Sequence, residues 1–391
     1  MPRPTKPHPL HVAVLGAGPI GIEAALHLRQ AGHHVTVYER GQVGEHLLRW
    51  GHVRMFTPFG SNSSTLGRAT LADAHPDLPG PHELLTGHDF RNRYLLPLTQ
   101  SKDLADCVQT QTEVLGVSLR EGGGFHLLLR REREWLDQAE VVVDCTGVYG
   151  RPNRLGPGGL AVPGESAARE IISYHLDDIL GQHRDRYAGR SVLVVGNGYS
   201  AATSISLLVQ LAEQHGETYI IWLTRTSRNQ PIARIPGDPL RERDRLAMHV
   251  NTLATRGDHH LEYHALAQIT AIERHASAWQ VVGQAAGKPF CYRVDRIIAN
   301  IGYQPAWELA EQVGICGCMP PAHPAYPAHA PPAGFSPHAP PPTHAGHPAQ
   351  PPPGYFLLGA RGHGRRSDFL LSVGLEQIGQ LVATLADWRN R

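Results

Sequence analysis

A chain of 391 residues is too long for one ordinary hydrophobic core, so two domains are expected. A composition of 41% hydrophobic and 18% charged residues fits a soluble globular enzyme, and a formal net charge of +1 gives no electrostatic reason to expect nucleic acid or an anionic membrane as a partner. No run of about 18 apolar residues exists, so no membrane span is expected; the Pro-rich start, MPRPTKPHPL, lacks the apolar region of a signal peptide, and a cytoplasmic protein is expected. Five cysteines, an odd number, do not make a disulfide framework.

The chain is organised around residues 11–40, HVAVLGAGPIGIEAALHLRQAGHHVTVYER. The apolar run Val12 to Leu15 reads as a buried parallel strand. Gly16, Gly18 and Gly21 follow in G-x-G-x-x-G spacing and open a helix at Pro19 and Ile20. A second strand, Val35 to Tyr38, ends at Glu39 and Arg40. Each part has a use in binding a dinucleotide: Gly16 for the tight turn, Gly18 for approach of the pyrophosphate, Gly21 for close helix–strand packing. The helix start offers unpaired N–H groups and a positive dipole end to the phosphates. Glu39 can accept hydrogen bonds from a ribose diol. An ordinary glycine-rich turn would not bring strand, helix, second strand and acid in this order.

Residues 41–100 have a loop-like composition, with WGHVRMFTPFGSNSST rich in aromatic, Gly, Pro and small polar residues. A long segment of this kind is more often functional than filler. FRNRYLLPLTQSKDLAD looks helical with a break at Pro97. TEVLGVSLR and FHLLLRRER read as a small antiparallel layer. Val141 to Val143 reads as a buried strand that ends in Asp144-Cys145-Thr146-Gly147, with Cys145 buried and inert. The Gly- and Pro-rich stretch from Gly150 to Gly164 reads as a domain crossing.

A second motif follows. The strand Val192 to Val195 leads into Gly196-x-Gly198-x-x-Ala201, with Tyr199 and Ser200 opening a long helix, and then the strand Tyr219 to Leu223. No acid closes it; Arg225 and Arg228 stand there instead, which suits the 2′-phosphate of NADPH. Two dinucleotide motifs in one chain imply an enzyme that passes hydride from nicotinamide to flavin. RIIANIGYQP (296–305) reads as a strand crossing back to the first domain. Residues 320–353 are Pro- and His-rich and read as an extended loop that can dock in an aromatic groove of a protein partner. Their five histidines (323, 329, 338, 344, 347) lack a ligand spacing, so no metal site is expected, and Cys316-Gly317-Cys318 reads as incidental. Tyr355 to Leu358 reads as a strand, Gly359 as its turn, and Leu370 as the start of a closing helix whose N–H groups can face an electron-rich part of a flavin.

The two motifs, the DCTG and ANIGYQP strands and the closing LLGA…LLSVGLEQIG resemble the two-dinucleotide-binding-domain flavoproteins, a superfamily that includes disulfide reductases and flavin-containing monooxygenases. The resemblance implies an α/β fold of two Rossmann-like three-layer domains. The FAD domain is split (8–160 and 296–391), and the NAD(P)H domain (161–295) is inserted into it. It implies FAD on the first motif and NAD(P)H on the second. No cysteine pair has the C-x-x-C or C-x-4-C spacing of the disulfide reductases. GSNSSTLGRATLADAHPDLPGP looks like the active-site segment of the monooxygenases, which makes Asn62 the catalytic candidate. His52 and Arg54 flank that segment, with Arg54 counted among the cofactor contacts.

Two departures stand out. If His175 is the histidine of the monooxygenase fingerprint, Arg169 and Ile171 sit where Phe and Gly belong, and Ile179 ends it. LLGAR also lacks the Asp that holds the FAD ribityl chain in many relatives. The expected activity is oxygenation of a soft nitrogen or sulfur nucleophile of a small molecule through a flavin 4a-hydroperoxide. The alternative is an NAD(P)H-dependent flavin reductase or dehydrogenase that passes electrons to a quinone or protein acceptor without disulfide chemistry.

Overall fold

The first apolar run lies at the centre of a five-stranded parallel sheet. Its order is Tyr355–Leu357, Val141–Asp144, His11–Leu15, His34–Tyr38 and Val108–Gln109. Strands covered on both faces read as unbroken branched-chain runs, and Val12, Val14 and Val141 to Val143 are all fully buried. The Pro19–Gln30 helix carries the chain from His11–Leu15 to His34–Tyr38, whereas Val141–Asp144 joins on the opposite side. The strand order therefore reverses beside His11–Leu15, where a parallel sheet opens a crevice at its carboxyl ends.

The structure, a computed structural model, describes residues 8–227, 230–256, 259–276, 278–315, 354–363 and 369–389. Arg228, Cys316-Gly317-Cys318 and the 320–353 segment with its histidines lie outside the described residues. The chain packs as two units. One takes in residues 1–48, 57–150 and 305–391; the other takes in 49–56 and 151–304.

In the first unit an antiparallel layer, Glu113–Leu119, Phe125–Arg130 and Glu134–Ala139, covers one face of the sheet. Its Val117, Phe125, Leu127 and Leu129 form one core with Ala13, Leu15, Val142, Tyr355 and Leu357. Each Val, Leu or Phe side chain of this core contributes about 1.5–3 kcal/mol by leaving water. The segment 57–100 is more helical than its composition suggests, with short helices at Phe59–Asn62 and Thr65–Leu71. The expected break at Pro97 does not occur. A helix starts at Gly87 under a Thr86–Asp89 capping box, widens into a π turn at Arg91–Leu95 and continues as Leu96–Gln100. The wide turn ends just before Pro97, which then stands in the first turn of a new helical segment, where its missing N–H costs nothing.

The second unit has its own parallel sheet in the order Leu261–His264, Tyr219–Leu223, Ser191–Val195, Arg296–Ala299 and Ile172–Ser173. It repeats the reversal: the Tyr199–Gln214 helix leads to Tyr219–Leu223 on one side of Ser191–Val195, and Arg296–Ala299 joins on the other. A three-stranded antiparallel layer, Ala267–His275, Ala278–Ala285 and Lys288–Val294, adds Ile269, Ile272 and Val281 to its core. The expected crossings near 160 and 295 shift outward. Leu155 and Val162 belong to this unit's core, the Asn153 N–H donates to the Gly302 carbonyl at 3.0 Å, and Arg296–Ala299 pairs with Ser191–Val195 rather than crossing back.

Candidate functional site: two dinucleotide cradles

In the first unit, Leu15 and Asp144 are register partners at the carboxyl edge of adjacent strands. Gly16 turns the chain there with φ +97°, and a β-carbon on it would lie 2.9 Å from the Cys145 carbonyl oxygen. A β-carbon on Gly21 would lie 2.0 Å from the Gly16 carbonyl oxygen, so helix and turn pack backbone to backbone. Gly18 differs: nothing among the described residues stands within 4 Å of where its β-carbon would be. It is the open side of the turn.

The helix behind it, with Pro19 and Ile20 in its first turn, has no side-chain cap at Gly18. Two other helices of the same unit are capped: Ser64 accepts from the Gly67 N–H and Thr86 from the Asp89 N–H. A capping oxygen satisfies N–H groups that a helix start leaves over; an uncapped start beside an open glycine keeps them for an anion. Glu39 closes the cradle. Its carboxylate accepts the Ala17 N–H and the Gly41 N–H, each at 2.8 Å, and so braces the turn itself. A carboxylate has about four acceptor positions, which leaves capacity for a ribose diol. Arg40 is exposed beside Gly150. Thr146 donates its Oγ1–H to Asp144 at 2.7 Å, and Gly147 follows with φ +70°. Gly359 ends the Tyr355–Leu357 strand against Ile20, and Leu370 directly precedes the Leu371–Arg389 helix.

Asn62 is 2% exposed and ends the Phe59–Asn62 helix rather than sitting in an open turn. Its Oδ1 accepts from the Thr57 hydroxyl at 2.7 Å and its Nδ2 donates to the Thr57 carbonyl at 3.0 Å. The segment after it is tied to the first helix by a residue that sequence reasoning missed. Glu23, 1% exposed, accepts the Ser64 N–H at 2.8 Å and the Tyr94 hydroxyl. A buried acid on an otherwise apolar helix face was the available signal.

The second unit repeats the cradle. Gly196 turns with φ +137°, and a β-carbon there would lie 2.2 Å from the Asn300 carbonyl oxygen. Gly198 is again open, and the helix starting at Tyr199 and Ser200 again lacks a side-chain cap. Ala201 takes the third glycine position and is fully buried. Arg225 is exposed just past the Tyr219–Leu223 strand. Two further residues shape this cradle. The Trp222 indole N–H donates to the Gly196 carbonyl at 2.7 Å, and Arg243 lies 5.6 Å above the Tyr199 ring while pairing with Asp238. Arg54 is exposed and falls in the 49–56 segment of this unit.

Burial disfavours the charged form of two histidines of this unit. Burial lowers the His52 pKa against the opposing charge of Asp178. Burial lowers that of His175 too, which stacks on Tyr303 and meets its hydroxyl at 3.2 Å. A histidine with a depressed folded-state pKa binds fewer protons than in the unfolded chain, so its contribution is present above the ordinary value near 6.5 and is lost as pH falls below it. The second unit should therefore melt at lower temperature at pH 5.5 than at pH 7.5. His52→Asn should flatten that slope in a calorimetric pH series; an unchanged slope would show that His52 does not carry it.

Burial also pushes the Cys145 thiol far above its ordinary range, with the Asp144 charge adding to the shift. Such a thiol stays protonated and unreactive. Cys107, Cys145 and Cys291 are all free. No helix among the described residues is long and apolar enough to cross a membrane.

The family model of pyridine nucleotide-disulphide oxidoreductases matches residues 13–326. Among curated proteins, the chain is 24% identical over 234 residues to the flavin-containing monooxygenase FMO GS-OX3 of Arabidopsis thaliana, covering 52% of this chain and 47% of that protein. The chain spans about half the length of the curated relatives it matches. Among solved structures, a bacillithiol disulfide reductase from Bacillus cereus superposes with a TM-score of 0.71 at 16% identity, covering 97% of this chain and 99% of that one. An ornithine N-hydroxylase from Kutzneria sp. 744, solved with reduced FAD, NADP+ and L-ornithine, superposes with a TM-score of 0.64 at 18% identity, covering 98% and 100%. The chain belongs to the pyridine nucleotide-disulphide oxidoreductase family, oxidoreductases built from two dinucleotide-binding domains that use FAD and a nicotinamide dinucleotide.

Proposed function

We propose that the chain is an FAD-dependent, NADPH-using monooxygenase that oxygenates a soft nitrogen or sulfur nucleophile of a small molecule. The observation that carries the nucleotide assignment is the pair of uncapped helix starts, each behind an open glycine at a strand-order reversal. Gly16, Gly18, Pro19, Ile20 and Gly21 hold the FAD pyrophosphate, and Glu39 and Arg40 its adenosine end. Thr146, Gly147, Gly359 and Leu370 serve its flavin half. Gly196, Gly198, Tyr199, Ser200 and Ala201 hold NADPH, with Arg225 on the 2′-phosphate.

Bound FAD, once reduced by NADPH, supplies the oxygen-activating chemistry. The protein's part is to orient and to exclude water. Asn62 is the proposed catalytic contact. Thr57 fixes its amide plane, while Glu23, Tyr94 and Ser64 anchor the segment that follows. The monooxygenase assignment over an electron-passing reductase draws on the Asn62 segment and on the flavin monooxygenases among the relatives. The test is isotopic. FAD-loaded protein under ¹⁸O₂ with NADPH and a panel of amines and thioethers should place the label in an N- or S-oxide. NADPH oxidation that runs only with an added quinone, with no labelled product, would move the assignment to an electron-passing reductase.

A further inference from the structure

The cluster under the LLGAR turn is built around a buried cation. Arg361 is 1% exposed; its Nη1 lies 2.7 Å from Asp144 Oδ2 and donates to Thr146 Oγ1 at 2.6 Å, and its guanidinium lies 5.5 Å from the centre of the Trp307 ring. The other edge of the guanidinium is different. Nε and Nη2 are both buried and have no hydrogen-bond partner among the described residues. Gln377, on the closing helix and also 1% exposed, repeats the pattern at the same turn. Its Oε1 accepts the Gly359 N–H at 2.6 Å, while its Nε2 is buried without a partner among the described residues. The backbone N–H fixes which end of that amide is oxygen, so the unpartnered end is a donor.

Unpartnered donors on buried side chains are costly, most of all on a cation. Nε and Nη2 of one guanidinium form a planar fork that fits two acceptor oxygens side by side. The position narrows the ligand. Leu357 pairs with Asp144 at the sheet edge, and Asp144 pairs with Leu15 before the Gly16 turn. The turn after Leu357 thus lies two strands, roughly 10 Å, from the glycine turn and on the side away from Glu39.

We propose that Arg361 and Gln377 bind ribityl oxygens on the flavin half of FAD and take the place of the acid absent from the LLGAR turn. The inference rests on the placement of FAD in the first cradle. Asp144 then acts as a positioning residue: it holds Arg361 by one edge and leaves the fork free.

The experiment uses apoprotein titrated with FAD, with ADP as a competitor for the same site. Arg361→Lys keeps a cation beside Asp144 but loses the planar fork; Gln377→Leu removes the amide. Each should raise the FAD dissociation constant, Arg361→Lys by about 10- to 100-fold. The inhibition constant of ADP should stay at the wild-type value in both, and so should the melting temperature of the Arg361→Lys apoprotein; Gln377→Leu also strands the Gly359 N–H, so its apoprotein should melt lower while ADP still binds as in wild type. FAD affinity at the wild-type level in both variants would overturn the proposal, and so would an equal loss of FAD and ADP binding, because the effect would then run through the scaffold. Gly18→Val separates the two layers. If it leaves FAD binding intact, the placement of FAD in this cradle fails; if it abolishes binding while both variants behave as wild type, only the role of Arg361 and Gln377 fails.

Discussion

Asp144→Ala should destabilise the first unit by about 3–5 kcal/mol. Asp144 is fully buried at the carboxyl edge of its strand, and it accepts from the Tyr355 hydroxyl at 2.8 Å and from the Thr146 N–H at 3.1 Å and Oγ1–H at 2.7 Å, besides pairing with Arg361. Removing it strands a buried cation and three donors at once. Burial and the Asp144 charge both push the Tyr355 phenol far above its ordinary range, so the hydroxyl keeps its proton and remains a donor throughout the accessible pH range. Asp144→Asn keeps the shape and part of the hydrogen bonding and should cost less. Urea unfolding read through a tryptophan of this unit, such as Trp135 or Trp307, measures both. A loss below about 1 kcal/mol for Asp144→Ala would mean that the cluster is solvated or relaxes without cost.

The second large effect separates the nucleotides. Gly18 and Gly198 both have extended φ and ψ that any residue can adopt, and both face open space in the protein alone. A side chain there costs the fold little and meets only what lies in the cradle. Gly18→Val should weaken FAD binding, and Gly198→Val should raise the KM for NADPH while FAD is retained. In each case about 10- to 200-fold is the range for a few misplaced methyl groups against a bound ligand. Gly21→Val and Gly196→Val are the contrasting pair, because their β-carbons would strike backbone oxygens at 2.0 and 2.2 Å. They should fail to fold. Thermal melting and flavin content after gel filtration read all four. Gly18→Val protein that melts early would place the damage in the scaffold rather than the ligand site.

Much of this was legible because parallel strands and glycine turns are local. Val12 to Leu15, Val141 to Val143 and Val192 to Val195 are buried on both faces, so their sequences carry no alternation to misread, and the glycines stand where turns need them. The sequence reading assigns nothing to the layer at 267–294. Its strands alternate buried and exposed residues, and they are held by pairing with one another across sharp turns rather than by a continuous apolar run. Arg361 escaped for another reason. It follows a short strand, 217 positions after Asp144 in the chain, and only the order of the sheet makes the two neighbours. Glu23 and Gln377 likewise lie on helices whose packing, not whose periodicity, puts a polar group inside. The first crossing falls at Gly150, at the very start of the Gly- and Pro-rich stretch, because Leu155 and Val162 anchor the rest of that stretch to the second unit's core.

Oxygen transfer separates the proposed monooxygenase from an electron-passing reductase, and rapid mixing of NADPH-reduced, FAD-loaded protein with aerated buffer reads it. A spectral species distinct from both reduced and oxidised FAD should persist before reoxidation and be shorter-lived in Asn62→Ser. Direct return from reduced to oxidised FAD, with no resolved species in either protein, would contradict it and leave an electron-passing reductase.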